Sequence, residues 1–444
     1  MHKRVIVVGA GLSGLTAADI VSSAGCDVVV LEASARLGGR AYTRTADFVG
    51  GQYAEAGAEW IDSVHQRVHA LIERFGLQVD PRSTTWTAVR RWLYRAGRLL
   101  GPDELLTVEP TLAADLDRLE DFVAEVADGI ADPGRPQNHP LAVRFDAMSV
   151  ADLVEQLELG DLARFFAMRN MQGEFAAEPR EVSVLFMAQQ RAVYEQSAAR
   201  HGFVEAQRLL GGVSGLTDGL ARQLPSGTVR LEQPVVSVDV SGEGGVVVRT
   251  MTESFDADHV ILACSLVALR SVRFRPSLPD DLAAAIAGLG YGTVTKTALQ
   301  FPSRVWPHGY ATTEGAAQRV YEPTADVPGS AGILMAYTGG DGGRRLAAIE
   351  ETARLDAMER SEREMYANLP KRIAGFSRAW SAEPLFGGSY AVYRPGEIGR
   401  FWEVLRRAHG PLHLAGEHAA TWTGYLEGAI ESGQTVAARI LSTD

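Results

Sequence analysis

The chain has 444 residues, about three times a typical 150-residue domain, which argues for two or three packed units and excludes a small disulfide-stapled module. At 46% hydrophobic and 22% charged, with 46 Gly and 19 Pro, its composition is that of a soluble folded protein rather than a disordered, collagenous or coiled-coil one. Acidic side chains outnumber basic ones 55 to 43, a net charge of -12 that repels phosphate backbones, speaks against nucleic acid as a partner and would gather cationic small molecules.

The basic His2-Lys3-Arg4 followed by apolar residues imitates a secretory signal, but Gly9, Gly11 and Gly14 break the apolar stretch. Residues 4–8 (RVIVV) read as a buried strand, 9–25 as a glycine turn and small-residue helix, and 27–32 (DVVVLE) as a second strand, together a βαβ unit. Residues 36–60 are glycine-rich and irregular, and 64–75 carry apolar positions at helical spacing. Alternating strands are expected over 77–101, and helices over 103–127 and 149–196 on either side of a Pro/Gly-rich loop. Ser149 with Asp152 resembles a capping box, and Pro179 marks a further helix start.

The α/β pattern returns with a helix over 215–224, strands over 228–240, 246–250 and 259–264, and a glycine turn at 242–245. Strands are expected again at 293–301, 332–337 and 386–393, with a helix over 348–369. No run of eighteen apolar residues occurs, so no membrane span is expected. Cys26 and Cys264 stand far apart in apolar, strand-like settings, which indicates neither a metal cluster nor a disulfide framework and fits a reducing cytoplasm. No repeat of fixed period is present, so the domains are interleaved rather than strung on linkers.

Gly9-x-Gly11-x-x-Gly14 follows a strand, opens a helix and is followed by Glu32 at the end of the second strand. Glycines at 9 and 11 allow a tight turn and close approach to a pyrophosphate at the helix N-terminus, Gly14 admits the strand against the helix, and Glu32 accepts from ribose hydroxyls. The plainer alternative is a glycine-rich turn without a ligand. NAD and FAD share this fingerprint, and the discriminating residues lie downstream: Arg36, Gly38-Gly39-Arg40 and Arg44 add backbone N–H groups and guanidinium for a second phosphate face.

The run LEASARLGGRAYT resembles the extension found in FAD-dependent flavoproteins of the monoamine oxidase superfamily, the flavin amine oxidases. So does the C-terminal LHLAGEHAATWTGYLEGAIESGQTVAARIL, where a strand ends at Gly416-Glu417 and a helix begins near Gly424. The resemblance is strong over 4–62 and 380–441, moderate over 205–301 and weak in the middle. It departs at Ala263-Cys264-Ser265, where relatives usually have Ala-x-Pro.

The fold it implies is mixed α/β, with a discontinuous Rossmann-like FAD-binding domain (1–76, 205–285, 386–444) interleaved with a substrate domain of mixed sheet and helices (77–204, 286–385). The implied FAD contacts are Gly9, Gly11, Gly14, Glu32, Arg36, Gly39, Arg40, Ala58, Val235 near adenine, Trp380, Gly416, Glu417, Gly424, Tyr425 and Leu426. Ser389 stands where some members carry a flavin-bonding cysteine, so FAD is expected to be non-covalent.

By the same resemblance, Lys296 matches the lysine that amine oxidases place near flavin N5, Tyr390 and Tyr425 match two aromatic walls before the ring, and Glu59 and Asp62 could face substrate. The implied reaction is oxidation of a C–N bond of a small amine, with hydride passing to the flavin and O2 as acceptor. Its products are hydrogen peroxide and an imine that hydrolyses to aldehyde or ketone plus ammonia. No metal is required, and a cytoplasmic enzyme, with a homodimer as an option, is expected. Two readings of the same fold stay open. One is an L-amino-acid oxidase, which needs a guanidinium such as Arg169, Arg191, Arg208 or Arg394; the other is an oxidase of biosynthetic amines or amides. A third is a non-catalytic dinucleotide-binding protein.

Overall fold

The computed structural model describes residues 3–80, 90–202, 204–240, 245–325 and 327–443. The centre of the strands read over 77–101 and most of the glycine turn at 242–245 lie outside the described residues.

The apolar runs of the N-terminal βαβ unit form the middle of a five-stranded sheet. Its order is Leu412–Leu414, His259–Leu262, Arg4–Val8, Asp27–Leu31, Val229–Arg230, and every pair is parallel. A central parallel strand is covered on both faces, which is why these runs are uninterruptedly apolar. Val5, Val7 and Val30 are fully buried. Four separated stretches of chain build this one sheet, so its C-terminal rim collects residues from both ends of the polypeptide.

Small residues set how closely the covering helices approach. The helix Leu12–Ser23 lies on the first strand through Gly14, where an added Cβ would stand 2.1 Å from Gly9 O and 3.1 Å from a Val7 methyl. The C-terminal helix Leu426–Ser442 meets the same helix through Gly433, where a Cβ would stand 2.5 Å from Ser13 O.

The strand expected over 228–240 is two strands in two sheets. Val229–Arg230 edges the parallel sheet, whereas Val235–Val240 belongs to a four-stranded sheet with Val246–Thr250, Ser254–Ala257 and Arg273–Arg275. Glu232, in a left-handed conformation (φ 57°), and Pro234 turn the chain between them.

A seven-stranded sheet carries the far side of the molecule, in the order Ala374–Ala379, Val294–Phe301, Gly332–Gly339, Arg319–Tyr321, Tyr310–Thr313, Arg91–Arg95, Arg98–Leu100. Ala374–Ala379, Tyr310–Thr313 and Arg319–Tyr321 have no counterpart among the sequence expectations. Ala374–Ala379 and Arg319–Tyr321 are held by pairing with eight-residue neighbours, and Tyr310–Thr313 by a short strand on either side, rather than by an alternation of their own. Conversely, the strand expected at 386–393 shrinks to Ala391–Val392, because Gly387-Gly388 turn the preceding segment.

The helical middle is present. Residues 103–127 resolve into Pro102–Val108 and Leu112–Asp128, divided before Pro110, and 149–196 into Val150–Gln156, Asp161–Glu174 and Val184–His201. The Ser149 box forms as read: Ser149 Oγ accepts the Asp152 N–H at 3.1 Å while Asp152 accepts the Ser149 N–H at 2.9 Å. Among the described residues no helix is long and apolar enough to cross a membrane, and both cysteines are free.

Gly14→Ala is expected to destabilise the protein by about 1–3 kcal/mol, because the added methyl must push the first helix off the sheet. A melting temperature equal to wild type would show that this contact is not tight.

Candidate active site

A cleft of about 1510 Å³, mouth included, opens where four of the parallel strands end. Val8-Gly9, Leu31-Glu32, Ala263-Cys264 and Gly416-Glu417 each follow a strand and line it. This is the rim at which parallel α/β sheets bind ligands.

The first wall is a backbone cradle. Gly9 is in a positive-φ conformation (109°), and Gly11 caps the helix Leu12–Ser23 without a side-chain partner for the exposed N–H groups. Gly38 donates to Ala10 O at 2.9 Å, and Gly38 and Gly39 turn with φ of 94° and 57°, so a second glycine loop lies against the first. Glu32 is buried and accepts the Ala10 and Ser34 N–H groups, both at 2.8 Å, which fixes its carboxylate at the cleft edge. Arg40 lines the cleft and reaches across to Ser389 O (2.7 Å) and Glu417 (2.9 Å).

The opposite wall comes from the C-terminus. Glu417 is buried and accepts from Arg40, from Ala391 N–H (3.2 Å) and from Gly424 N–H (3.0 Å). Tyr425 caps the helix Leu426–Ser442, which also lacks a side-chain cap, and Gly424, Tyr425 and Leu426 all face the cleft. Val235 lines it with Gln233 and Pro234, and Ala58 and Trp380 close another side, with Trp380 Nε1 donating to Ala56 O at 2.7 Å.

Two aromatic hydroxyls and an amine mark one end. Lys296 is 3% exposed, and its Nζ donates to Glu59 (2.7 Å) and Gly57 O (3.1 Å). Tyr337 is its neighbour across the sheet, and the Tyr337 and Tyr390 hydroxyls are 2.8 Å apart. Burial pushes the Tyr390 and Tyr425 phenols well above their usual range, so both stay protonated at neutral pH.

Five of the residues singled out in the sequence stand outside the cleft lining, among them Arg44, whose guanidinium pairs with Asp47. Gly14 acts from behind, through the helix contact already described. The Arg36 guanidinium is spent on Leu37 O (3.0 Å) and Gly39 O (2.7 Å) and lies 3.9 Å from the centre of the Tyr42 ring, so it braces the second glycine loop. Glu59 is buried between Lys296, Arg208 (3.2 Å) and the Tyr321 hydroxyl. Burial raises its carboxyl pKa, but Lys296 and Arg208 outweigh that and hold it below the ordinary value. Asp62 accepts from the Tyr194 hydroxyl at 2.6 Å and is pushed upward by burial. Both acids are engaged within the protein.

The four arginines considered for a substrate carboxylate are likewise committed. Arg191 pairs with Glu120 and Glu195, Arg394 with Glu397, Arg208 with Glu59, and Arg169 donates to Thr313 O and Gln172. None lines the cleft. At the departure from the usual Ala-x-Pro, Ser265 caps the next short helix through Val267 N–H, and burial pushes the Cys264 thiol up to about 12, which leaves it inert. Tyr194, His65, Glu174 and Arg319 around the tyrosines were not singled out from sequence. Tyr194 and Glu174 fall in the helical stretch read over 149–196 and His65 in that over 64–75, while no element was expected at Arg319.

These residues fit a flavin dinucleotide. Two helix N-termini without caps point N–H groups at the lining, and a Cβ on Gly11 would meet open space. Ser13 Oγ and Ser389 Oγ are buried along the lining with no hydrogen-bond partner, donors of the kind a diphosphate or a ring carbonyl takes up.

Comparison with known proteins agrees. Residues 12–441 match the flavin containing amine oxidoreductase family. Amine oxidase (flavin-containing) B of Sus scrofa is 28% identical over 98% of this chain and 86% of its own length, and amine oxidase (flavin-containing) A of Bos taurus 27% over 99% and 85%. Cyclohexylamine oxidase from Brevibacterium oxydans IH-35A superposes with a TM-score of 0.86 at 25% identity, covering 99% of both chains. A putrescine oxidase solved with putrescine has the same fold, with a TM-score of 0.86 at 24% identity and complete coverage of both chains. The chain therefore belongs to the flavin-containing amine oxidoreductase family and is a flavoenzyme acting on amines.

Proposed function

We propose that this enzyme holds FAD non-covalently and oxidises the C–N bond of a small amine. The amine, O2 and water become an aldehyde or ketone, ammonia and hydrogen peroxide. The observation that carries the reading is that Lys296, Tyr390 and Tyr425 share one cleft with the double-glycine cradle. FAD, when bound, supplies the two-electron acceptor.

The chain's own residues do the rest. Gly9, Gly11, Gly39 and Arg40 form the diphosphate side, with Glu32 at the ribose. The helix N-terminus at Tyr425-Leu426 supplies a positive field and fixed donors at the ring side, and the Glu417 carboxylate holds Arg40 and the Gly424 N–H in place beside it. Tyr390 and Tyr425 offer electron-rich faces to the amine nitrogen, and the Tyr337 hydroxyl holds Tyr390 in place. Neither protonated phenol can take a proton from an ammonium, so the amine must lose its proton to solvent and enter between them already neutral. Lys296 has three N–H donors, and Glu59 and Gly57 O take two, which leaves one for the cleft. Its role is to hold a water or dioxygen there.

An amino-acid oxidase finds less support, because none of the four arginines considered faces the cleft. Cyclohexylamine oxidase and putrescine oxidase, the superposing enzymes, are named for simple amines, which favours the same class here.

Mixing the yellow holoenzyme anaerobically with a panel of aliphatic, aromatic and amino-acid amines is expected to bleach its visible band with at least one simple amine; bleaching by none would refute the proposed substrate class. Lys296→Met should slow reduction or reoxidation by at least about 10-fold while FAD stays bound, and unchanged kinetics would remove Lys296 from the chemistry. Ser389 forms no thioether, so acid precipitation should release the flavin into the supernatant. Colour that remains in the pellet would overturn non-covalent binding.

A further inference from the structure

The acids near the tyrosines divide sharply by whether the protein already uses them. Glu59 is taken by Lys296, Arg208 and Tyr321; Asp62 by Tyr194; Glu417 by Arg40 and two backbone N–H groups. Glu174 differs. Among the described residues no hydrogen bond or ion pair takes up its carboxylate.

Glu174 ends the helix Asp161–Glu174, and its position is fixed from the site itself, because the Tyr390 hydroxyl donates to the Glu174 carbonyl at 2.9 Å. Its side chain therefore starts beside the Tyr390 hydroxyl, and its charge acts on both Tyr425 and Tyr337. The side chain reaches solvent, yet protein crowds it closely enough that burial pushes its pKa upward. An open side chain so crowded by protein stands in a recess beside the tyrosines.

The nearest cation does not satisfy it. The Arg319 guanidinium lies flat on Gly173, where a Cβ would meet it at 1.7 Å, and donates to Arg169 O at 3.1 Å and Asn170 Oδ1 at 3.4 Å. It thereby serves one backbone carbonyl and one side-chain amide of the helix. Glu120 and Asp62 are also within electrostatic reach, the first already paired with Arg191, so the negative charge around Glu174 exceeds what Arg319 offsets and favours a further positive charge.

We infer that Glu174 is a specificity residue, accepting the remote ammonium of a diamine whose other amine lies between Tyr390 and Tyr425. This rests on the amine-oxidising reading above. A crowded recess screens the pair less than an open surface would, so the second charge should be read out in affinity.

The test is calorimetric titration of the FAD-loaded enzyme, reduced beforehand with dithionite under argon so that no turnover occurs, with 1,4-diaminobutane and with butylamine. Wild type is expected to bind the diamine roughly 10- to 100-fold more tightly. Glu174→Gln should bring the two ligands to within about 3-fold of each other, and Glu174→Asp should retain an intermediate preference. Equal binding by wild type, or a preference that survives Glu174→Gln, overturns the assignment. Equal binding by wild type overturns the assignment even if neither variant folds. Because no turnover is involved, its outcome is separate from amine-dependent bleaching: a diamine preference without bleaching would count against the oxidation reading alone, and bleaching without a preference against Glu174 alone.

Discussion

The Glu417 carboxylate is the point on which the site depends. One buried group accepts from the Arg40 side chain, 377 positions away, and from the backbone at Ala391 and Gly424. It thus ties the second glycine loop, the segment behind Ser389 and the entry to the C-terminal helix into one body. A buried charge is costly unless paired, and removal of one partner from such a cluster typically costs about 3–5 kcal/mol. The carboxylate therefore keeps the cleft's two walls in register: if it is lost, Arg40 has no counter-charge and the helix N-terminus at Tyr425 loses its bracing.

A second buried cluster works by the same rule with the opposite sign in excess. Glu59 stands between two cations, Lys296 and Arg208, so its carboxyl stays ionised despite complete enclosure. That arrangement anchors the amine of Lys296 at the cleft while consuming an acid that the sequence had offered to substrate. Asp62 is consumed in turn by Tyr194, whose ring stands 5.7 Å from that of Tyr425 and 4.8 Å from that of Trp422. The acids Glu59 and Asp62 are thus closed into polar pairs, and the unpaired Glu174 stands out against them.

Much of the nucleotide side was legible in the chain. Gly9, Gly11 and Gly14 constrain backbone and packing locally: a left-handed turn, an open approach and a helix contact can each be argued from one residue and its neighbours. The same holds for the Ser149 box and for the apolar runs of the parallel strands. The substrate side was not legible. Short strands such as Arg319–Tyr321 exist only because a neighbouring strand offers a ladder, and a helix end such as Glu174 shows no local sign that a tyrosine from position 390 will bind its carbonyl. Arg36 shows the limit from the other side: the motif offered it to a phosphate, while the carbonyls that bind its guanidinium belong to a loop conformation no spacing rule reports.

By itself, then, the sequence determined the βαβ start, the phosphate-cradling glycines and the family pattern at the two ends, because each depends on backbone freedom and periodicity within a few dozen residues. Tertiary structure alone decided which acids and arginines remain available. Whether a charged group is spent or free depends on partners brought from hundreds of positions away, and burial makes that pairing obligatory.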